Sequence, residues 1–191
     1  MTDPAEPGMN GEKILFLMLS LPEHVNMMNV SVIKKSLARG CIPVIVSVNM
    51  PYKILARVYG REGIDPATWY VIDAVTNYSG GDTTPNPHVR FITTPSNLTD
   101  MGIAITEMLK VIPGTEKCII FDSVSMLLIH TPTVTASKFL HFVINKLKIL
   151  DVAGIFLCVE KGLDPVVLSQ MTAFVDKIVD FESMDKTTRE K

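Results

Sequence analysis

The stretch of sequence that decides the fold runs from Lys117 to Leu150 and reads KCIIFDSVSMLLIHTPTVTASKFLHFVINKLKIL. Its first residues are mostly apolar, which predicts a buried strand over 117–121 that ends on Asp122. Pro132 is well placed to begin a helix over 132–150, because proline is favoured in the first turn of a helix. The apolar residues of that helix recur at helical spacing on one face: Phe139, Phe142, Val143 and Leu147.

The same alternation of short apolar runs and amphipathic segments extends over the rest of the chain. Strands are predicted over 13–19, 42–48, 69–73, 89–93, 117–121, 153–159 and 177–181. Helices are predicted over 23–39, 51–62, 96–110, 132–150 and 164–175. Residues 77–88 form the longest interior loop. Because strands alternate with helices, we predict an α/β fold with a doubly wound, mostly parallel sheet and helices on both faces.

The length and composition fit one globular domain with short polar tails. The chain has 191 residues, of which 47% are hydrophobic and 20% are charged, as is ordinary for a globular protein. We assign residues 13–181 to the α/β domain, residues 1–12 to a disordered tail and residues 182–191 to a polar tail. The formal net charge of −2 argues against binding to nucleic acid or acidic membranes through bulk charge.

Three further features of the sequence indicate a cytoplasmic protein without a metal site. The apolar run over 14–21 is too short to cross a bilayer, and the acidic segment before it is unlike a signal peptide. The three cysteines lie far apart in or beside apolar runs, so we predict small buried side chains rather than disulfides or metal ligands. They are Cys41, Cys118 and Cys158. The four histidines show no metal-binding spacing.

Polar residues stand at the carboxyl ends of the predicted strands or just beyond them. In open parallel sheets, ligands bind in the crevice outside these ends. The candidate residues of this crevice are Ser20, Glu23, Asn49, Asp73, Asp122 and Glu160. A catalytic triad could be drawn from Ser20, His24 and Asp122, but no nucleophile-elbow motif accompanies it. An enzyme of another class that uses the crevice is therefore one alternative.

The segment around Asp122 and Ser123 resembles the Walker B strand of the KaiC and RecA group of ATPases, in which an apolar strand ends in Asp-Ser. Similar to other parts of that group are VAGIFLCVE and the closing LSQMTAFVDKIVDF. The upstream stretch NMPYKILARVYGREGIDPATWYVIDAVT resembles small archaeal KaiC-like proteins of unassigned function. The resemblance covers residues 13–181 and implies a RecA-like three-layer fold. It also implies that Asp122 and Ser123 are the remnant of a nucleotide site.

The phosphate-binding loop of the active ATPases is absent from this sequence. The loop over 20–26 contains no glycine, and none of the 11 glycines of the chain precedes a lysine. A phosphate cradle needs converging N–H groups and a cation, whereas this loop offers Pro22, which has no N–H, and the anionic Glu23. Ser20 and Glu23 have the spacing of a capping box, which predicts that they cap the first helix themselves.

The catalytic glutamate of the active ATPases is absent as well. In that group, a glutamate after the second strand polarises the attacking water, but Asn49 stands at this place. An asparagine side chain cannot act as a general base. Because Asn49 lies two residues before Pro51, we predict that it caps the second helix.

These absences predict a catalytically inactive RecA/KaiC-like domain that acts as a binding, regulatory or signalling module. No cofactor is then expected, and the partner would be another protein or a second copy of the chain. The alternative is a nucleotide-binding protein or ATPase with a noncanonical site for ATP and Mg²⁺. In that alternative, the loop over 77–88 and Arg39, Arg57 or Arg90 would contact the phosphates.

Overall fold

A seven-stranded parallel sheet forms the centre of the computed structural model, which describes residues 14–112, 114, 116–159 and 164–182. The strands are β1 (Leu15–Ser20), β2 (Ile42–Ser47), β3 (Tyr70–Asp73), β4 (Val89–Phe91), β5 (Lys117–Asp122), β6 (Ala153–Val159) and β7 (Lys177–Asp180). The helices are α1 (Val25–Ala38), α2 (Tyr52–Arg61), α3 (Leu98–Val111), α4 (Val124–His130), α5 (Thr133–Ile149) and α6 (Pro165–Phe174). The strand order is β4–β3–β2–β5–β6–β1–β7. The predicted doubly wound parallel sheet is thereby confirmed.

Helices cover both faces of the sheet because successive side chains of each strand point to opposite faces. In β1, Leu15 and Leu17 belong to one buried apolar cluster, whereas Phe16 and Met18 belong to another. The first cluster also contains the buried side chains of α3, α4, α5 and α6, and the second contains those of α1 and α2. Burial on both faces explains why the strands are nearly continuous apolar runs.

The chain leaves the neighbouring strands β2 and β5 in opposite directions across the sheet. From β2 it proceeds through α2 to β3 and β4 on one side, and from β5 it proceeds through α4 and α5 to β6 on the other. Ser47, at the end of β2, is in register with Asp73 of β3 and with Asp122 of β5. Ligands of open parallel sheets bind at such a switch point, so this edge is where a site is expected.

Two helical segments differ from the sequence prediction. A 3-10 turn over Pro22–His24 precedes α1, which therefore begins two residues later than predicted. The separate helix α4 is not predicted by the apolar periodicity, although Ser123 before the run VSMLLIH is a recognisable cap signal. The Oγ of Ser123 accepts a hydrogen bond from the N–H of Met126 at 3.3 Å. Thr131 is extended and ends the helix.

The burial of the cysteines agrees with the sequence prediction at two of the three positions. Cys118 and Cys158 are buried as predicted, whereas Cys41 is only half-buried. Burial raises the pKa of the Cys158 thiol to about 11, although hydrogen bonds with Ser125 oppose this shift.

The predicted tails lie outside the described residues except for Glu182. None of the helices in the described ranges is long and apolar enough to cross a membrane.

Candidate functional site

The carboxyl group of Asp122 is buried at the end of β5 and has one oxygen unused. Asp122 is 1% exposed, and its Oδ2 accepts a hydrogen bond from Nδ2 of Asn29 in α1 at 3.0 Å. The Oδ1 atoms of Asp122 and of Asn29 are buried and have no hydrogen-bond partner among the described residues. Burial raises the pKa of Asp122 to about 6, although the Asn29 hydrogen bond opposes the rise. A buried carboxyl group with a raised pKa is a typical feature of functional sites.

The surroundings of Asp122 do not neutralise its charge. Within the described part of the chain, no lysine, arginine or histidine forms an ion pair with Asp122. Tyr59 of α2 is near enough for an electrostatic effect: burial raises the pKa of its hydroxyl, and the charge of Asp122 raises it further. The unused oxygen of Asp122 is therefore able to accept a hydrogen bond or to bind a cation.

Ser123 has a structural role beside Asp122. Its Oγ caps α4, and the peptide bond that joins it to Asp122 is cis. The next polar side chain, Ser125, accepts a hydrogen bond from the N–H of Val159 at 2.9 Å and so ties α4 to the end of β6. The Ser123 hydroxyl therefore has a structural partner at the start of α4.

Asp73 caps α2 from the neighbouring strand, whereas Asn49 does not cap it. The Oδ2 of Asp73 accepts a hydrogen bond from the N–H of Tyr52, the first residue of α2, at 2.7 Å. Its Oδ1 accepts two further backbone N–H groups of the following turn, both at 2.8 Å. The prediction for Asn49 is wrong, because Pro51 occupies the N-cap position and no side chain of the loop caps the helix. The carboxylate of β3 already satisfies the first N–H.

The loop after β1 is closed by Glu182, from the other end of the chain. The Oε1 of Glu182 accepts a hydrogen bond from the N–H of Leu21 at 2.9 Å and lies 3.1 Å from Nδ1 of His24. The Oγ of Ser20 donates to the carbonyl of Leu21 at 3.0 Å and to the same carboxylate at 3.5 Å. An internal anion therefore occupies the turn that leads into α1.

The predicted capping box of Ser20 and Glu23 is not formed. The 3-10 turn places His24 at the N-cap position of α1, and no side chain caps the helix there. Glu23 is exposed within the turn. Pro22 favours the first position of such a turn, and this moves the helix start out of reach of Ser20. The anion near the start of α1 is thus Glu182 rather than Glu23.

The contacts of Glu182 favour its ionised form. Burial alone would raise its pKa, but hydrogen bonds with Leu21, Asp180 and His24 lower the pKa to about 2. The side chain is therefore an anion at neutral and mildly acidic pH. A phosphate group placed at the same N–H group would meet like charge at short range, which is unfavourable.

Replacing Glu182 with alanine is expected to loosen the turn at Leu21. The variant loses a charge-assisted acceptor that is only partly shielded from solvent, so we expect the Leu21 amide to exchange its hydrogen about tenfold faster. Glu62→Ala is the matched control, because Glu62 pairs with the exposed Lys34 and does not touch the turn. If the exchange rate of Leu21 is the same in both variants, Glu182 does not close the loop.

The structure divides the predicted crevice into two parts. Asp73 and Asp122 lie on either side of Ser47 at the edge of β2. Ser20 lies at the end of β1, which is separated from β5 by β6. Within the described residues, no hydrogen bond joins Ser20 or His24 to Asp122, so the triad drawn from them is not assembled. Glu160 lies outside the described residues.

The three arginines considered for phosphate binding lie in different places. Arg39 directly follows α1, which runs from the carboxyl edge of β1 to the amino edge of β2, so Arg39 lies at the edge opposite the crevice. Arg57 is exposed on α2. Arg90 lies in β4, and its Nη2 is 3.9 Å from Glu107 of α3. They do not form one cluster of positive charge.

The loop over 77–88 covers a small polar cavity beside the start of α2. Nζ of Lys53 lies 2.7 Å from Oδ2 of Asp82, and Nδ2 of Asn86 donates to the hydroxyl of Tyr52 at 3.4 Å. The cavity has a volume of about 150 Å³ and is lined by these side chains and their neighbours. Small-molecule sites usually measure roughly 300–1,000 Å³, so this space is too small for a nucleotide.

Two solved structures have the same fold as this chain. One is uncharacterized protein PH0321 from Pyrococcus horikoshii, crystallised in complex with an unknown peptide. Its TM-score is 0.67 at 14% identity, over 88% of this chain and 77% of that one. The other is KaiC-like protein PH0186 from Pyrococcus horikoshii OT3. Its TM-score is 0.61 at 13% identity, over 94% of this chain and 80% of that one. The fold is therefore KaiC/RecA-like, as the sequence resemblance implied.

Sequence comparison adds the family. No curated protein matches the chain. The family model described as "Family of unknown function (DUF7504)" matches residues 44–181, a range that extends from β2 to the end of β7 and includes Asp73 and Asp122. Since this range is most of the sequence, the chain belongs to the DUF7504 family and has a KaiC/RecA-like fold.

Proposed function

We propose that this protein is a catalytically inactive KaiC/RecA-like domain that works by binding another protein chain. The observation that supports this most is the occupied turn before α1. There the carboxylate of Glu182 accepts a hydrogen bond from the N–H of Leu21 and contacts His24. The loop at this place binds phosphate in the active ATPases. Pro22 offers no N–H in that loop, and the loop contains no lysine.

A protein partner is supported by the exposed apolar surface and by a structural relative. Several large apolar side chains of the helices are exposed, among them Ile103, Val134 and Phe142. Exposed apolar patches are characteristic of interaction surfaces. PH0321, which has a similar fold, was crystallised with a peptide. Binding or regulation of this kind needs no cofactor.

Titration calorimetry with ATP and Mg²⁺ tests the absence of a nucleotide site. We expect no binding heat at nucleotide concentrations up to about 1 mM, because the loop lacks both a phosphate cradle and a cation. Glu182→Ala should behave in the same way, since removing one anion supplies neither glycine nor lysine. Micromolar binding by the wild type would contradict the proposal. Cooperative thermal unfolding of the same samples confirms that the protein is folded.

Nucleotide binding at a noncanonical site is the second candidate, and the unused oxygen of Asp122 favours it. A buried carboxylate oxygen at the switch point of the sheet could share a cation with a phosphate group. In this case ATP with Mg²⁺ would raise the melting temperature of the wild type by several degrees, and Asp122→Asn would abolish that shift. The absence of a shift in the wild type excludes this candidate.

A further inference from the structure

An open groove runs between α3 and α5, on the face of the sheet opposite α1 and α2. It has a volume of about 670 Å³ and is lined by α3 residues between Leu98 and Glu107 and by α5 residues between Thr135 and Phe142. This volume is large enough for several side chains of a partner.

The shape of the groove depends on Gly102. A Cβ atom at this position would lie 3.2 Å from Cε1 of Phe142, which is tighter than ordinary van der Waals contact. Phe142 is 50% exposed and Ile103 is 48% exposed, although both side chains are large and apolar. One surface therefore carries both protruding apolar side chains and a gap between them. Such a surface can pack against a copy of itself.

The charges on the walls of the groove are also complementary to a second copy. Glu107 is an exposed acid on the α3 wall, and Lys138 is an exposed base on the α5 wall. Lys138 forms no ion pair with any residue that the structure describes, and Glu107 only approaches Arg90 at 3.9 Å. A face with an acid on one wall and a base on the other can place each charge opposite its counterpart after a twofold rotation. A partner of uniform charge would meet repulsion on one wall.

We propose that the α3–α5 groove is a self-association surface, in which Phe142 and Ile103 of one copy enter the groove of a second copy and Glu107 of each faces Lys138 of the other. The inference rests on the proposed function because it makes a second copy the protein partner of this domain. The groove is short, so the dimer is expected to be weak, with a dissociation constant of roughly 10–100 µM.

The first test removes the protruding aromatic side chain. Sedimentation analysis over a concentration series is expected to show that Phe142→Ser weakens the dimer at least about thirtyfold, as for a central interface residue. Ile149→Ser is the matched control, because Ile149 lies on the same helix, is 81% exposed and does not line the groove. It should associate like the wild type. A wild-type chain that stays monomeric up to about 1 mM, or equal effects of both variants, overturns the proposal.

The second test exchanges charges and does not depend on core packing. Glu107→Lys and Lys138→Glu are each expected to weaken self-association about tenfold, because like charges then face each other twice in the dimer. An equimolar mixture of these two variants should recover wild-type affinity as a heterodimer, since every facing pair is again opposite in charge. Arg90→Ala, which removes the neighbour of Glu107, should leave association unchanged. A mixture that associates no better than its components overturns the proposal.

These results are independent of the nucleotide titration. A wild-type chain that stays monomeric and binds no ATP would reject the self-association surface alone. Micromolar ATP binding by a dimer that responds to the charge exchange would reject the inactive domain alone.

Discussion

Replacing Asp73 with alanine is expected to lower the free energy of unfolding by at least about 4 kcal/mol. The side chain is fully buried at the carboxyl edge of β3. It accepts hydrogen bonds from the backbone N–H groups of Tyr52, Val75 and Thr76 and from the hydroxyl of Thr76. Alanine would leave these donors without an acceptor, and each unsatisfied buried donor costs about 1–3 kcal/mol.

Urea denaturation of Asp73→Ala and of two further variants measures this effect. Asp73→Asn keeps one acceptor oxygen and should lose an intermediate amount. Asp65→Ala is the control, because Asp65 is exposed and caps a 3-10 turn through the N–H of Ala67 at 2.9 Å. A cap of that kind is worth about 1 kcal/mol. A loss in Asp73→Ala no larger than in Asp65→Ala would mean that Asp73 does not anchor α2.

Asp73 also shows how far the sequence determines the fold. Its place at the end of an apolar run predicts the strand and the edge of the sheet, because a strand buried on both faces has a distinctive composition. Its partner Tyr52 lies 21 residues earlier in the chain. The local pattern before α2 contains Asn49, a good capping residue, and so predicts a cap that the fold does not use. Capping from a neighbouring strand requires knowledge of the strand order.

The candidate site is harder to predict for the same reason. Asp122 is recognisable from the apolar strand before it, but its partner Asn29 is 93 residues away and looks like an ordinary helix position. Glu182 lies 161 residues from Leu21 in a segment whose polar composition suggests a tail. No local spacing signals these pairs. Short-range patterns identify elements and their ends, whereas the contacts that close a loop or bury a charge depend on the three-dimensional packing.

Replacing Asp122 with asparagine is expected to stabilise the protein at about pH 8 by roughly 3 kcal/mol. The substitution removes a buried charge while keeping an oxygen that can accept the hydrogen bond of Asn29. The new amide can also donate a hydrogen bond, and the unused Oδ1 of Asn29 is a nearby acceptor. A gain of stability would show that folding does not require the carboxylate, which would favour a role for it in binding.

The pH dependence follows from the raised pKa of Asp122. The pKa is about 6 in the folded state and 3.8 in the unfolded state, because burial disfavours the ionised form. Below the lower value, both states are protonated and the charge has no effect on stability. Between the two values, the unfolded state ionises first, so the folded state loses stability as the pH rises. Above about pH 6 the full destabilisation is present, equivalent to a shift of roughly two units.

Urea denaturation of the wild type and of Asp122→Asn at about pH 4 and about pH 8 measures this difference. We expect a small gain at the lower pH and the full gain at the higher pH. Asp151→Asn, on an exposed turn, is the control and should leave the pH profile of the wild type unchanged. A loss of stability in Asp122→Asn at about pH 8 would mean that the ionised carboxylate stabilises the fold. In that case the unused oxygen must have a bound partner in solution. Removing that partner with a chelator or by dialysis should lower the stability of the wild type and not that of Asp122→Asn.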